Sequence, residues 1–136
     1  MFETFDHTAD LGLRIRAKTI EELFTEAATA LFSIIVEDLD SVAQEQEVEV
    51  TVSESDREYL LFDWLKALLY HFDGEHLLFA RFEATVAEDG LRAKAWGEPL
   101  DLDRHILSHE VKAITYHGLR VSEEDDGLLA EVIVDI

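Results

Sequence analysis

The stretch Phe5–Gly12, FDHTADLG, places two carboxylates, an imidazole and a hydroxyl immediately before a run that alternates like a strand. Polar side chains at a strand entrance either satisfy backbone donors in a turn or converge on a ligand. Asp10 is the central residue of this stretch. Its best candidate partner is Asp135, which stands next to the C-terminal carboxylate of Ile136. If the fold brings the two ends of the chain together, three carboxylates meet with little positive charge between them, and such a cluster favours a cation.

The chemistry of this carboxylate cluster points to a hard metal ion. Carboxylate oxygens prefer calcium, magnesium or manganese, and Asp10, Asp135 and Ile136 would supply them. Asp6 and His7 lie nearby in the sequence. The alternative is that Asp10 caps a turn and that Asp135 is simply exposed to solvent. Spacing alone leaves both interpretations open.

The composition is that of an acidic folded domain. The 136 residues include 31 acids against 11 Lys and Arg, a formal net charge of −20, and 48% of the residues are hydrophobic. This length favours a single domain over residues 1–136, and the periodic apolar runs argue against disorder. A surface this acidic repels phosphate backbones and better suits a basic protein partner or a divalent cation. Simple solvation of the surface explains most of the acids equally well.

Several classes of function lose support. The chain has no cysteine, which excludes disulfides, Cys-ligated zinc and thiol catalysis. No apolar run approaches the ~20 residues that span a bilayer, and no signal-peptide pattern is present, so we expect a soluble cytoplasmic protein without a membrane partner. The glycine-rich phosphate loops, HExxH, GxSxG and EF-hand spacings are all missing, which disfavours nucleotide cradling and serine-triad hydrolysis.

Periodicity predicts an α+β fold in which two amphipathic helices pack on a mostly antiparallel or mixed β-sheet, in two layers. The helices follow capping-box sequences that start at Thr19 and Ser55, and Gly74 is the predicted end of the second helix. An Asp-Gly pair at 89–90 predicts a hairpin. Along the second strand, Arg14, Arg16 and Lys18 would share one face and either pair with acids or meet a partner. Alternation predicts strands at 1–6, 11–18, 48–52, 79–87, 91–97, 111–121 and 128–135.

Lys112 is a second candidate functional residue. It lies in EVKAITY, at 110–116, as an isolated cation among acids. A lysine in this setting neutralises a carboxylate cluster or binds a phosphate as a point charge. A plain salt bridge to Glu110 or Asp103 is the simpler interpretation.

A third candidate group consists of His105, His109 and His117. The first two would align if the segment between them were helical, which could make a transition-metal or acid–base site. Pro99 and the missing periodicity of the region 98–110 argue against a helix there.

Three of these segments together resemble the archease family: FDHTADLG at 5–12, EVKAITY at 110–116 and the terminal Val-Asp-Ile at 134–136. The segment LFDWLKALLY at 61–70, the Trp-Gly-Glu step at 96–98 and the overall length agree with it. Each motif is modest alone, but their order and spacing cover essentially the whole chain.

The resemblance implies a function. Archeases assist the tRNA-splicing ligase RtcB: they promote its guanylylation by GTP, support multiple turnover and broaden nucleotide use. They carry a divalent metal site, often with calcium. By resemblance, the metal-binding aspartates fall on Asp10 and Asp135, a main-chain oxygen comes from Ile136, and the functional lysine falls on Lys112. RNA would be met only through the ligase.

The hypothesis from sequence is therefore a helper protein and not a complete enzyme. Asp10 and Asp135 would hold or deliver a divalent ion near the GTP-reactive centre of the ligase, and Lys112 would balance the carboxylates or contact a phosphate. Two rivals stay open: a stand-alone metal-dependent hydrolase or phosphatase, and a structural adaptor or chaperone in which metal is incidental.

Overall fold

The fold of the chain was analysed in a computed structural model that describes residues 1–7 and 10–136, without the side chain of His7. Thr8 and Ala9, in the predicted polar turn, lie outside the described residues. Within them the chain forms two α-helices, one short 3-10 helix and eight strands. The helices are α1 (Ile20–Ile35) and α2 (Arg57–Glu75), and the strands are β1 (Phe2–His7), β2 (Asp10–Ala17), β3 (Gln46–Ser53), β4 (Leu77–Ala87), β5 (Gly90–Pro99), β6 (Ala113–Ile114), β7 (Arg120–Glu124) and β8 (Gly127–Asp135).

The predicted α+β class with two amphipathic helices is confirmed, but the strands form two antiparallel sheets and not one. The first sheet has the order β1-β2-β8-β6, with β7 also paired to β8, and the second has the order β3-β5-β4. Both helices contact strands of both sheets. Alternation identifies the two faces of a strand without naming its partners, which is why the division into two sheets was not visible in the sequence.

Helix α1 is the centre of the core. Thr19 is its N-cap and accepts a hydrogen bond from the amide of Glu22 at 3.2 Å, as the capping-box spacing predicts. Nine of its residues are buried, with Ala30 and Ile34 among them, because α1 contacts β2 and β8 of the first sheet and β4 of the second. The indole Nε1 of Trp64 donates to the carbonyl of Phe24 at 2.9 Å and thereby joins the two helices.

Both predicted ends of α2 are wrong by one or two residues. The N-cap is Asp56 and not Ser55: the Asp56 carboxylate accepts from the amides of Glu58 and Tyr59 at 2.9 and 3.0 Å. Gly74 lies inside the helix, which ends at His76 in the left-handed conformation, with φ 57°. A carboxylate is a strong N-cap, and the segment beyond Gly74 is held because the His76 carbonyl accepts from the Leu100 amide at 2.7 Å.

The long strand predicted at 111–121 is also wrong. Only β6 and β7 are extended there, and a turn with Gly118 at φ 60° separates them. The amide and the hydroxyl of Thr115 both donate to the carbonyl of Ile133, at 3.0 and 2.9 Å, and the hydroxyl accepts from the amide of His117 at 3.2 Å, so the side chain of Thr115 bonds the start of the turn that follows β6. The hairpin of β4 and β5 is confirmed, and so is the closing strand β8.

Candidate functional site

The first and last strands of the chain place Asp10 and Asp135 side by side. These two residues are direct register partners in the antiparallel pair of β2 and β8. Asp135 is in turn the partner of Ala113 in β6, and Asp10 is the partner of His7 in β1. Side chains of directly opposed residues project to the same face, with Cβ atoms about 4.5–5.5 Å apart. The two carboxylates predicted from opposite ends of the sequence therefore share one row of the sheet, which we call the carboxylate row (Asp10 and Asp135).

Lys112 and Ile136 flank this row. The Lys112 amide donates to the carbonyl of Asp135 at 2.7 Å, although Ala113 is the register partner of Asp135. The backbone of Lys112, one residue before β6, is therefore held directly against Asp135. Ile136 follows Asp135 directly, and its side chain packs against the hydrophobic core. The packing of Ile136 fixes the main chain that follows the carboxylate row.

The carboxylate row lies on the outer face of the first sheet. Leu11, Leu13 and Ile15 of β2 point into the core, so Asp10 and Arg14 point to the opposite face. Asp10 and Asp135 are both partly exposed. The row is consequently accessible to an ion or to a partner protein, whereas the face below it is closed by the core.

An apolar row separates these carboxylates from the arginines of the same face. Phe5, Gly12 and Ile133 are opposed across β1, β2 and β8. The Phe5 ring covers Gly12 so closely that a Cβ on this glycine would lie 2.2 Å from the ring. The absence of a side chain at Gly12 leaves room for the Phe5 ring, and the apolar row next to the carboxylate row gives the site an apolar border.

The two arginines of the basic face predicted for β2 pair with acids of neighbouring strands, whereas Lys18 lies beyond the end of β2. Arg14 pairs with Glu3 at 3.2 Å and with Glu131 at 3.5 Å, and its guanidinium lies 4.7 Å from the centroid of the Phe5 ring. Arg16 pairs with Glu124 at 3.2 Å. Four residues of strand separate Arg14 from Asp10, about 13 Å. The arginines are therefore committed to other carboxylates and do not neutralise the carboxylate row.

The donor set of the row suits a divalent ion. Asp10 and Asp135 offer hard oxygens from two rigid strands, and the main-chain oxygens of Ile136 lie next in the chain. Within residues 1–7 and 10–136, no group of three or more His, Cys, Asp or Glu side chains is arranged to hold a metal ion. The predicted set has two such side chains, so its further ligands would be main-chain oxygens and water. Metal binding by Asp10, Asp135 and Ile136 stays a prediction.

Lys112 also borders a pocket of about 350 Å³ at the end of α2. The side chain of Lys112 is exposed, and the same pocket is lined by Asp73, His76 and Glu110. The lysine is thus presented to solvent between the carboxylate row and the end of α2.

The histidine site considered from sequence does not form. His105 is buried, whereas His109 and His117 are exposed. The segment between His105 and His109 is irregular and is tied to α1, since the amides of Ser108 and His109 donate to carbonyls of the last helical turn at 2.8 Å. The three imidazoles therefore do not converge.

His105 instead belongs to a buried network around Glu98. The Nδ1 atom of His105 accepts from the Asp101 amide at 2.9 Å, so Nε2 carries the proton and donates to Glu98 at 3.0 Å. Glu98 also accepts from the Ala43 amide at 2.6 Å and pairs with Arg104. Arg104, together with the bonds from Ala43 and His105, lowers the pKa of Glu98 to about 2, although burial opposes this shift. The carboxylate stays ionised inside the protein.

Sequence reasoning missed Glu98 and the Phe5–Gly12 pair. Glu98 lies near the end of β5 and is out of phase with the buried Ala93 and Ala95, so alternation places it on the exposed face and gives no signal of its burial. Gly12 is a glycine inside a strand, which signals close approach by another group. Glu98 matters for the site because its network holds the segment that leads to Lys112.

The comparisons with known proteins give the family. The sequence model of the archease protein family matches residues 2–136. Protein archease of Methanopyrus kandleri is 43% identical over 139 residues, which are 99% of each chain. Protein archease of Pyrococcus abyssi is 41% identical over 140 residues, 99% of this chain and 98% of its own. The chain belongs to the archease family, as the resemblance of its motifs predicted.

Solved structures agree with this assignment. The solution structure of protein 1598 of Methanobacterium thermoautotrophicum matches with a TM-score of 0.86 at 37% identity, over 99% of this chain and 98% of that chain. The crystal structure of a Thermotoga maritima archease, described as a possible chaperone, matches with a TM-score of 0.70 at 22% identity, over 100% of this chain and 98% of that chain. The second likeness shows the fold alone.

Neither helix in the described residues is long and apolar enough to cross a membrane.

Proposed function

We propose that this chain is an accessory protein that activates an RtcB-type tRNA-splicing RNA ligase. It promotes the GTP-dependent guanylylation of the ligase and its multiple turnover, and it meets RNA only through the ligase. Membership in the archease family supports the accessory role. The observation that carries the proposal is the register of Asp10 opposite Asp135, with the Lys112 amide bonded to Asp135.

The carboxylate row would hold the divalent ion that this role requires. Asp10 and Asp135 bind and orient it through side-chain oxygens, and Ile136 offers main-chain oxygens. Calcium, manganese and magnesium all suit these ligands. A bound divalent ion supplies positive charge that stabilises phosphate oxygens. Lys112 adds a fixed positive charge at the rim, which balances the carboxylates or contacts a phosphate of the nucleotide.

The net charge of −20 fits a partner of this kind. A ligase that binds RNA presents basic surface, and an acidic helper docks on such a surface by charge complementarity without competing for RNA elsewhere. The proposal includes a cytoplasmic location, where the helper meets its ligase.

The decisive test is ligation with limiting ligase, with and without this chain, across a series of divalent metals. We expect the wild-type chain to convert a single turnover into many. Asp10→Ala and Asp10→Asn should abolish this stimulation while leaving the melting temperature within a few degrees of wild type. The matched control is Asp125→Asn, an identical change in the exposed turn between β7 and β8, which should stimulate fully. Undiminished stimulation by both Asp10 variants ends the mechanism.

Metal binding is tested on the protein alone. Calcium at 100 times its dissociation constant stabilises a one-site protein by about 2.7 kcal/mol. We therefore expect calcium to raise the melting temperature more than sodium chloride of equal ionic strength does. Asp135→Asn should remove that excess, and Asp125→Asn should keep it. An equal rise in the melting temperature of the Asp135→Asn variant would show that calcium screens surface charge and does not bind at the carboxylate row.

The same preparations separate the rival functions. A stand-alone hydrolase or phosphatase built on Asp10 and Asp135 turns over a substrate without ligase. An adaptor or chaperone with incidental metal stimulates the ligase normally in the Asp10→Asn variant. The proposed helper does neither.

A further inference from the structure

The segment between β5 and β6 displays aliphatic side chains to solvent. Leu102 is 73% exposed, Ile106 64% and Leu107 43%. They lie within six residues of one another, so they form a concentrated apolar feature and not scattered surface residues. We call these three residues the aliphatic loop. Nothing within the fold requires them to be apolar.

The aliphatic loop is held rigidly from below. Its backbone is tied to the end of α1, because the Ile106 carbonyl accepts from the Glu37 amide at 2.8 Å and Leu107 forms a β-bridge with Val36. Between the exposed side chains, the buried His105 is anchored on Glu98. A rigid loop loses little conformational entropy when it binds, which favours a preformed contact over a chance exposure.

The surroundings of the loop are acidic. Asp101 directly precedes Leu102, Asp103 directly follows it, and Glu37 and Asp38 adjoin the loop at the end of α1. Arg104, the cation of the segment, is occupied by Glu98 and Asp101. An apolar centre with an acidic rim fits an apolar pocket ringed by Lys and Arg.

The charge around the aliphatic loop indicates which class of partner binds there. A second copy of this chain would bring its own net charge of −20 and the same acidic rim against this one. Anionic lipid and RNA are repelled for the same reason. A basic protein surface is attracted. The loop also lies close to the candidate site, since six residues separate Ile106 from Lys112, at most about 20 Å.

We infer that the aliphatic loop is the docking surface by which this chain engages the basic face of its protein partner, and that docking brings the carboxylate row to the partner's reactive centre. This inference rests on the proposed function, with the ligase as the partner. Leu102 and Ile106 insert into the partner, and Asp103 and Glu37 form the rim.

The test measures the affinity of the full chain for purified RtcB-type ligase and the stimulation of ligation at several concentrations. Leu102→Glu and Ile106→Glu should each weaken binding about tenfold or more, whereas Ile106→Val stays near wild type. Asp103→Lys should weaken binding about threefold and flatten its dependence on salt. The exposed side chains make no contribution to the core, so all variants should melt like the wild type.

The matched control is Ala87→Glu, which adds the same charge at an exposed position. Ala87 lies at the far end of β4, ten residues from Leu77, which pairs with Pro99 at the start of the loop segment. Ten residues of strand span about 33 Å, so we expect Ala87→Glu to leave the affinity for the ligase unchanged.

The concentration series distinguishes docking from chemistry. Excess Ile106→Glu should restore full stimulation because its carboxylate row is intact, whereas excess Asp10→Asn should not. If the wild type stimulates the ligase and the Leu102 and Ile106 variants bind equally well, the inference is wrong and the proposed function stands. If the wild type neither binds nor stimulates, both fail. Self-association of the chain that Ile106→Glu abolishes would assign the loop to a homo-oligomer and overturn the inference.

Discussion

At the scale of single residues, Glu98 shows how a buried charge positions a functional segment. Its carboxylate is satisfied by three partners: the guanidinium of Arg104, the amide of Ala43 and the Nε2–H of His105. Removing one partner of such a group leaves the others buried and unpaired, which costs more than the bond itself contributes. Glu98 thereby links the end of β5, the entry to β3 and the segment that carries the aliphatic loop.

The change in the free energy of unfolding at acidic pH follows from the ionisation of the Glu98 carboxylate. The pKa of Glu98 is lowered to about 2 from an ordinary value of 4.5. A lowered pKa stabilises the fold fully above pH 4.5, and that contribution is lost as the pH falls towards 2. Glu98→Gln should lower the free energy of unfolding at pH 7 by about 2 kcal/mol. The difference from wild type should be constant from pH 7 to 5 and shrink below, as urea unfolding at each pH will show.

The control for this prediction is Glu83→Gln. Glu83 is exposed and pairs loosely with Arg81 at 3.4 Å, and such surface pairs contribute about 0–1 kcal/mol. Its substitution should change stability little at any pH. A difference between Glu98→Gln and wild type that persists unchanged to pH 2 would show a packing defect and not a lost charge.

At the scale of elements, the N-cap of α2 has two candidates, Ser55 and Asp56, which mutation can distinguish. The sequence favours Ser55 through the capping-box spacing, whereas the structure uses Asp56. Asp56→Ala should lower the free energy of unfolding by about 1 kcal/mol, because two amides of the first turn lose their acceptor. Ser55→Ala should stay within about 0.5 kcal/mol of wild type. Chemical denaturation measures both, and the reverse order of effects would restore the sequence-based assignment.

Elements with local signals were predictable, and pairings that depend on distant residues were not. The capping box of α1 and the Asp-Gly hairpin depend on neighbours in sequence, and both are confirmed. The predicted strand at 111–121 failed because its two parts, β6 and β7, pair with different stretches of β8 and are separated by the turn at Gly118. The division into two sheets likewise depends on which strands meet, and periodicity does not contain that information.

The candidate site likewise has features that the sequence predicted and features that it did not. Asp10 and Asp135 could be predicted because each is a carboxylate at the end of an alternating strand, and their register confirms that they meet. The border formed by Phe5 over Gly12 could not, since it depends on the orientation of a ring across β1 and β2. The anchoring of Lys112 depends on the bond from its amide to the carbonyl of Asp135, twenty-three residues away, and alternation within one strand does not indicate such a partner.

At the scale of the whole molecule, the pairing of the opening strands with the last strand stabilises the fold, and the excess negative charge destabilises it. The first sheet joins the opening strands to the last one through the pairing of β2 with β8, and that pairing sets two carboxylates side by side. The whole surface carries a net charge of −20, and self-repulsion of this size destabilises a compact state. The ion pairs of Arg14 and Arg16 recover only part of that cost.

We therefore expect sodium chloride to stabilise the protein. Raising the salt from 0.01 to 1 M shortens the screening length from about 30 to about 3 Å. At pH 7 this should raise the melting temperature by roughly 5 °C, since about 1 kcal/mol corresponds to a few degrees at this size. Calorimetry in a chelator excludes divalent ions, and Asp10→Asn should show the same rise because repulsion belongs to the whole surface. Near the isoelectric point of about 4.4 the rise should vanish. A fall in melting temperature with salt at pH 7 would mean that the ion pairs outweigh the repulsion, and that the acidic surface is already balanced without a partner.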